Sequence, residues 1–522
     1  MIKLFYNGKI YTGEKSQPFC EAIVVSGGTI VASGTNEEMR SAFPFAQRIS
    51  LDGKPVLPAF TDSHTHFLSH CLQQAQIDLS GLTSVGACLN VIGQKAATTP
   101  EGTWIKGKGW NQNLWSPAHY PTKEQLDSVT RQHPIALDAR DFHSLWVNSL
   151  ALAQAGINEQ TVFNGAGEIC KNENGQLTGI IKEDARTLVW KIMPEDTAEQ
   201  RAEVLRNLQT LAYKNGLAGV HCMETMPDFE AYQSLHRDRA LQLRVCFYLP
   251  IRYLDMMVEA KIKSGFGDAY FRFGGMKIFM DGTLGSQTAH MLEPFENSEN
   301  YGTEITTQDA LDAYVLRAAE YDIACAIHAI GDRANRKVLN AFEKIREMFP
   351  DKKLRQRIEH AQIIHPDDIQ RFARSGTIAS MQAIHIPEDI DAANRYWGAR
   401  ARWAYPFRSL LQSGATIALG SDVPIETCNV FESMTAALCR TRRTSDEVWY
   451  PEERMTREEI IYAYTVGAAL ASGEEHLKGT LSSGKLADFM VLSQDIFSVQ
   501  PEKIAGTKVQ TMVIGGNVVY ES

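Results

Sequence analysis

Phe60-Thr61-Asp62-Ser63-His64-Thr65-His66, at the end of an apolar stretch, decides how the rest of the chain is read. In a β-strand residues i and i+2 point to the same face, so a His-x-His step at a strand end aims two imidazoles at one point. Taken alone, the step is open between a packed or exposed histidine pair and two ligands of one metal ion. Four later segments bear on that choice.

Downstream, short apolar segments near residues 217–222, 243–249, 275–280, 323–329, 355–361, 377–384 and 415–421 alternate with helix-like stretches, the pattern of a parallel α/β fold. With the segment near 57–66 they number eight, as a (β/α)8 barrel requires. Such a barrel builds its active site at the C-terminal ends of its strands. The polar groups of this chain fall there. His64 and His66 follow the first strand, and Lys277 lies in Gly274-Gly275-Met276-Lys277-Ile278-Phe279 at the fourth. His328 ends the fifth (Ala326-Ile327-His328), His360 the sixth (Arg357-Ile358-Glu359-His360) and Asp422 the eighth (Ala418-Leu419-Gly420-Ser421-Asp422).

Imidazole and carboxylate together suit Zn²⁺ and similar divalent ions. Six such ligands exceed what one tetrahedral catalytic site with an open position can use, whereas two ions would use them all. An ammonium repels a cation, but a buried, neutral Lys277 can take up CO₂ as an anionic carbamate and bridge two metals. A salt bridge beside the ligands or an anchor for a substrate carboxylate is the other reading of Lys277.

The two ends of the chain read differently from the middle. Short alternating runs at Lys3–Tyr6, Ala22–Val25 and Thr29–Ala32 match strand-like runs at Ala487–Leu492, Val509–Ile514 and Val518–Tyr520. One small β-sandwich domain assembled from residues 1–57 and 474–522 is expected, around a barrel from 58–71 and 201–473. Residues 72–200 break the strand–helix rhythm and are expected to form an insertion after barrel strand 1, standing over the barrel mouth.

The chain has 522 residues, 44% of them hydrophobic, and a net charge of -10 without a Lys/Arg-rich block, so a small-molecule ligand is expected rather than nucleic acid or membrane. Nine cysteines are scattered without a CxxC pair, which favours reduced thiols in a cytoplasmic protein. The N-terminus lacks the apolar core of a secretion signal, and no window approaches the ~18 apolar residues of a membrane span.

Asn7-Gly8-Lys9-Ile10-Tyr11-Thr12, the Asp-x-His-x-His step, Asp141-Phe142-His143-Ser144-Leu145-Trp146, the run from Lys277 to Ser286, His328-Ala329-Ile330-Gly331-Asp332-Arg333-Ala334, Arg357-Ile358-Glu359-His360-Ala361-Gln362, Gly420-Ser421-Asp422-Val423-Pro424 and Gly484-Lys485-Leu486-Ala487-Asp488 together identify a family resemblance. Over nearly its whole length the chain resembles the amidohydrolase superfamily, in the branch of N-substituted formamide deformylases and YtcJ-like proteins. The resemblance implies a distorted (β/α)8 barrel, a companion β-sandwich and a mono- or binuclear metal centre that hydrolyses amide-type bonds.

Carried over by motif, His64, His66 and Asp422 would hold the more buried ion, His328 and His360 the more exposed one, and carboxylated Lys277 would bridge two Zn²⁺. A metal-activated hydroxide would attack the carbonyl, and Asp422 would accept its proton and pass it to the departing nitrogen. The branch usually has Gly where this chain has Phe142. The superfamily resemblance also allows a homodimer.

Further residues carry weaker expectations. His143 would stabilise a developing oxyanion, or be a structural histidine of the insertion. Trp110, Asn111 and Gln112 would form a wall of the substrate pocket, although tryptophan is commonly a core residue. Glu224, Gln382 and His385 would face substrate, against a helix-capping or solvated-loop alternative. Asp281 and Asp332 would orient ligands or cap helices. Two other functions remain open at this level: a deaminase of a cyclic amidine or aromatic amine using one metal, and a barrel kept as a binding scaffold.

Overall fold

Eight parallel strands succeed one another around a single sheet in the computed structural model, which describes residues 1–141 and 143–522. They are β1 (Phe60–Thr65), β2 (Leu217–Met223), β3 (Arg244–Pro250), β4 (Phe271–Phe279), β5 (Ala324–Ala329), β6 (Arg357–His360), β7 (Ile378–Met381) and β8 (Ile417–Leu419). Each coincides with an expected segment. β1, β2 and β5 are buried along their whole length, the signature of parallel strands covered on both faces. The ring comes close to closing between β8 and β1, where the Asp422 N–H donates to the His64 carbonyl, the His66 N–H to the Val423 carbonyl, both at 2.8 Å, and Ser63 Oγ to the Leu419 carbonyl at 2.5 Å.

β4 begins at Phe271, four residues before the expected 275, because Gly274-Gly275 continues the strand instead of ending it. Gly275 pairs with both Tyr248 and Ala324, and a Cβ there would lie 2.1 Å from the Ala324 carbonyl oxygen. The helix Asp332–Met348 that follows β5 buries Val338, Leu339, Phe342 and Ile345, an i, i+1, i+4, i+7 stripe. Its Asn335 amide donates to the carbonyls of Ala329 and Gly331 at 3.2 and 2.9 Å, fixing the loop where β5 ends.

Two further sheets draw on both ends of the chain. One orders Thr29–Gly34, Ala22–Ser26, Ile2–Tyr6 and Gln47–Ser50. The other orders Asn517–Glu521, Val509–Ile514, Phe489–Leu492, Pro55–Pro58, Lys9–Tyr11 and Phe19–Cys20. Phe5, Ile23, Val25 and Ile30 of the first share a core with Ile10, Val56, Phe489, Val491 and Val513 of the second, so the two sheets form a β-sandwich. Phe5 and Phe489 meet edge to face at 4.9 Å within it.

The chain divides into two compact units, residues 1–69 with 205–522, and residues 70–204. The second follows β1 in chain order and has a six-stranded sheet of its own: Gly167–Lys171, Leu177–Glu183, Ser144–Val147, Ile135–Ala139, Ile105–Trp110 and Ile77–Asp78. Apolar clusters around Trp110 and Trp146 on one side, and Leu145, Val147 and Ile181 on the other, bury both faces. Asn172-Glu173-Asn174-Gly175 is the turn joining two of these strands. Phe142 lies outside the described residues.

Among the described residues no helix is long and apolar enough to cross a membrane. All nine cysteines are free thiols, and every one except the half-buried Cys170 is buried.

Candidate metal centre

At the end of β1, His64 is buried and its Nδ1 lies 2.6 Å from Glu359 Oε2. A carboxylate only accepts, so the proton of a neutral His64 sits on Nδ1 and the Nε2 lone pair is free. That Nε2 lies 3.4 Å from Asp422 Oδ1, and His66 Nε2 lies 3.3 Å from the same oxygen. Ligand atoms of His64, His66 and Asp422 all fall within 4.8 Å of one another. Two imidazole nitrogens and one carboxylate oxygen are the donor set that a borderline divalent ion takes, so these residues fit a metal.

Backbone geometry aims the ligands. Asp422 has φ 59°, and His360 and Ala361 have φ 71° and 43°, left-handed conformations that non-glycine residues seldom adopt and that cluster at functional sites. Strand alternation puts neighbouring residues on opposite faces, yet both Glu359 and His360 reach the centre. The reversal of φ at His360 turns its imidazole towards His64, ring centres 4.9 Å apart, and towards His328 at 4.4 Å.

His328 Nε2 donates to the Gly282 carbonyl at 3.0 Å, which leaves Nδ1 as its free nitrogen. Lys277 is buried, with Nζ 3.5 Å from His64 Nε2. Of the six expected ligands, then, three meet as one cluster, Lys277 touches it, and His328 and His360 stand beside it as ring neighbours.

Burial sets the charge states. It lowers His64 to about 4, helped by Lys277, and His328 to about 3; His360 is held well below the usual imidazole range by burial and by His328. These rings are neutral at pH 7, as ligands must be. For His66, burial pulls down, but the hydrogen bond and charge of Asp422 outweigh it and raise the pKa. Burial pushes Asp422 up, yet His64, His66 and His360 hold it well below the ordinary carboxylate range. Burial brings Lys277 down to about 8, against the pull of Glu359 and Asp422.

The remaining expectations divide. Glu224, just beyond β2, is buried; its Oε1 accepts from the Ser69 N–H at 2.9 Å, Oε2 has no hydrogen-bond partner, and it acts electrostatically on His66. Gln382 is buried beyond β7, its amide 3.3 Å from the Ser380 carbonyl. His385 Nε2 lies 3.3 Å from the Ser421 carbonyl, and its ring lowers the pKa of Asp422. In the second unit, exposed His143 places Nδ1 3.0 Å from Glu183 Oε2, and Asn111 caps a short turn by accepting from the Asn113 N–H at 3.1 Å. Gln112 sits half-buried in that turn.

Trp110 requires a correction. It is 0% exposed, packed with Trp115 and Trp146, and its indole N–H donates to the Leu137 carbonyl at 2.8 Å, so it is core of the second unit and lines no open pocket. Trp110→Ala is accordingly expected to lower stability by about 3–5 kcal/mol. Chemical denaturation followed by fluorescence checks this; a loss under ~1 kcal/mol would return Trp110 to the surface.

Asp281 and Asp332 serve loops rather than helix caps. Asp281 accepts from the N–H groups of Ile330, Gly331 and His290 at 3.0, 2.8 and 2.9 Å, with Oδ1 3.6 Å from His328 Nε2. Asp332 accepts from the Leu292 N–H at 2.8 Å. Sequence reasoning missed Glu359, Arg357 and Asp62. Asp62 Oδ1 accepts from the N–H groups of His64 and Ser421 at 3.1 and 2.9 Å, tying the first ligand strand to the last. An acidic residue next to or two before a ligand histidine was the available signal.

The Amidohydrolase family profile matches residues 47–520. The chain belongs to the amidohydrolase family. It is 31% identical over 535 residues to the putative amidohydrolase YtcJ of Bacillus subtilis (strain 168), covering 100% of both chains. It is 27% identical over 543 residues to the N-substituted formamide deformylase of Arthrobacter pascens, covering 99% of this chain and 98% of that one. Among solved structures, an uncharacterized metal-dependent hydrolase from Pyrococcus furiosus superposes with a TM-score of 0.79 at 28% identity, covering 96% of this chain and 100% of the other. As an amidohydrolase, the protein is a metal-dependent hydrolase acting on carbon–nitrogen bonds.

Proposed function

We propose that this amidohydrolase cleaves the C–N bond of a small N-formyl or N-acyl amine, at a centre held by His64, His66, Asp422, His328 and His360 with carboxylated Lys277 as bridge. The cluster of His64, His66 and Asp422 carries the reading, because it joins two imidazole nitrogens to a carboxylate at the mouth end of the barrel. The formamide deformylase relative supports the substrate class. A bound divalent ion supplies Lewis acidity and lowers the pKa of water towards about 7.

The protein's own part is acid–base and orienting. Asp422 Oδ1, kept anionic by the surrounding imidazoles, accepts the proton of the attacking water and delivers it to the departing nitrogen. Glu224, buried just beyond β2, acts electrostatically on His66 and helps to hold up its pKa. A Lys277 with pKa about 8 has enough neutral amine near pH 7 to react with CO₂.

One observation favours a second reading, a deaminase with a single metal: the ligand atoms gathered within 4.8 Å are those of one site. Metal analysis by plasma mass spectrometry, after reconstitution with zinc and bicarbonate, separates the two. About two ions per chain, falling in Lys277→Ala, together with formate or another acid released from N-acyl amines, is the expected outcome. One ion unaffected by Lys277→Ala, with ammonia as product, would sink the bridged centre. Removal of the metal by a chelator should abolish turnover, and zinc should restore it.

A further inference from the structure

Beneath the ligand cluster the barrel interior holds an ion pair, where barrel interiors are ordinarily filled by branched apolar side chains. Arg357 and Glu359 of β6 are both fully buried. Arg357 Nε donates to Glu359 Oε1 at 2.5 Å and Nη2 to Oε2 at 3.0 Å, a two-pronged pair. Nη2 also donates to Ser380 Oγ of β7 at 2.7 Å and to the Ser63 carbonyl of β1, and Nη1 donates to His221 Nδ1 of β2 at 2.8 Å. The Tyr248 ring of β3 is 5.2 Å from the guanidinium. One side chain thereby links β6 to four other strands, and Glu359 extends the link to His64 Nδ1 at 2.6 Å.

The direction of each bond follows from chemistry. A guanidinium only donates, so it fixes both oxygens of Glu359 as acceptors and His221 Nδ1 as an acceptor. His64 must then donate from Nδ1 and present Nε2 to the site. Core packing gives no reason for charge here: a buried ion pair is commonly matched or exceeded in stability by apolar side chains of the same volume, because desolvation offsets the attraction. The contact with a ligand histidine does give a reason.

We propose that Glu359 and Arg357 are positioning residues of the metal centre, Glu359 fixing the tautomer and orientation of His64 and Arg357 fixing Glu359. The proposal rests on the reading of His64, His66 and Asp422 as metal ligands. Partners of this kind typically change metal affinity by about 10–100-fold.

The test replaces the pair as a unit, since removing one partner strands the other as a buried charge. The double variant Arg357→Met/Glu359→Leu and the single variant Glu359→Gln are compared with the unsubstituted chain by zinc titration against a competing chelator and by thermal unfolding of the metal-free protein. Zinc affinity of the double variant is expected to fall about 10–100-fold while its metal-free midpoint stays within about 5 °C. Glu359→Gln, which keeps an oxygen for His64 but loses the charge, should show a smaller fall in affinity. Unchanged zinc affinity in both variants overturns the proposal and leaves the ligand reading intact. A double variant that does not fold assigns the pair to core stability and also overturns it. An unsubstituted chain that takes up no zinc removes the ligand reading itself, and the proposal with it.

Discussion

Asp422→Asn is expected to lower kcat by about 10²–10⁴-fold, the range lost when a positioned general acid–base is removed. Asparagine preserves the shape and the Oδ1 acceptor 3.3–3.4 Å from the nitrogens of His66 and His64, but it carries no charge and takes no proton at neutral pH. Backbone geometry should survive, because the main-chain bond from Asp422 to the His64 carbonyl does not involve the side chain, and asparagine tolerates the left-handed φ of 59° better than most residues. Metal content must be measured on the same sample, since the substitution also weakens a ligand. A fully metal-loaded variant that keeps activity within about tenfold would place the proton acceptor elsewhere.

Gly420→Ala is expected to damage the centre without touching a ligand side chain. A Cβ at Gly420 would lie 2.5 Å from the His64 backbone nitrogen, 2.9 Å from Asp62 Oδ1 and 3.0 Å from His64 Cβ. The backbone of β1 has to shift to admit a methyl group, at a cost of about 1–3 kcal/mol. Displacing His64 by the order of 1 Å should lower kcat/KM by about 10²-fold. Gly506→Ala is the control, because an added Cβ there meets nothing within 4 Å. Equal activity of the two variants would show that the closing seam of the barrel yields freely.

What the sequence made legible was the part where local pattern and function agree. Each barrel strand is an apolar run, and each expected ligand interrupts the end of one, so strand order and ligand placement could be read together. In the second unit the run Pro134 to Ala139 is the stretch that reads as a strand from the sequence, and it forms the strand Ile135–Ala139. Ile105-Lys106-Gly107-Lys108-Gly109-Trp110 has weak strand propensity, and it is a strand because Ile77–Asp78 and Ile135–Ala139 pair with it on either side. Trp110 was misread because a tryptophan beside Asn and Gln resembles a pocket wall, whereas its environment is set by Trp115 and Trp146. The Glu359–His64 contact joins residues 295 apart in the chain, so the acidic residue beside His360 can be noticed locally but its partner cannot.

The sandwich built from both ends has a consequence for biosynthesis. Pro55–Pro58, which runs directly into β1, lies between Lys9–Tyr11 and Phe489–Leu492 and pairs with both. A ribosome adding roughly 5–20 residues per second leaves that inner strand without its second neighbour for tens of seconds while the rest of the chain emerges. The nascent chain therefore displays an open strand edge until Phe489–Leu492 emerges to cover it.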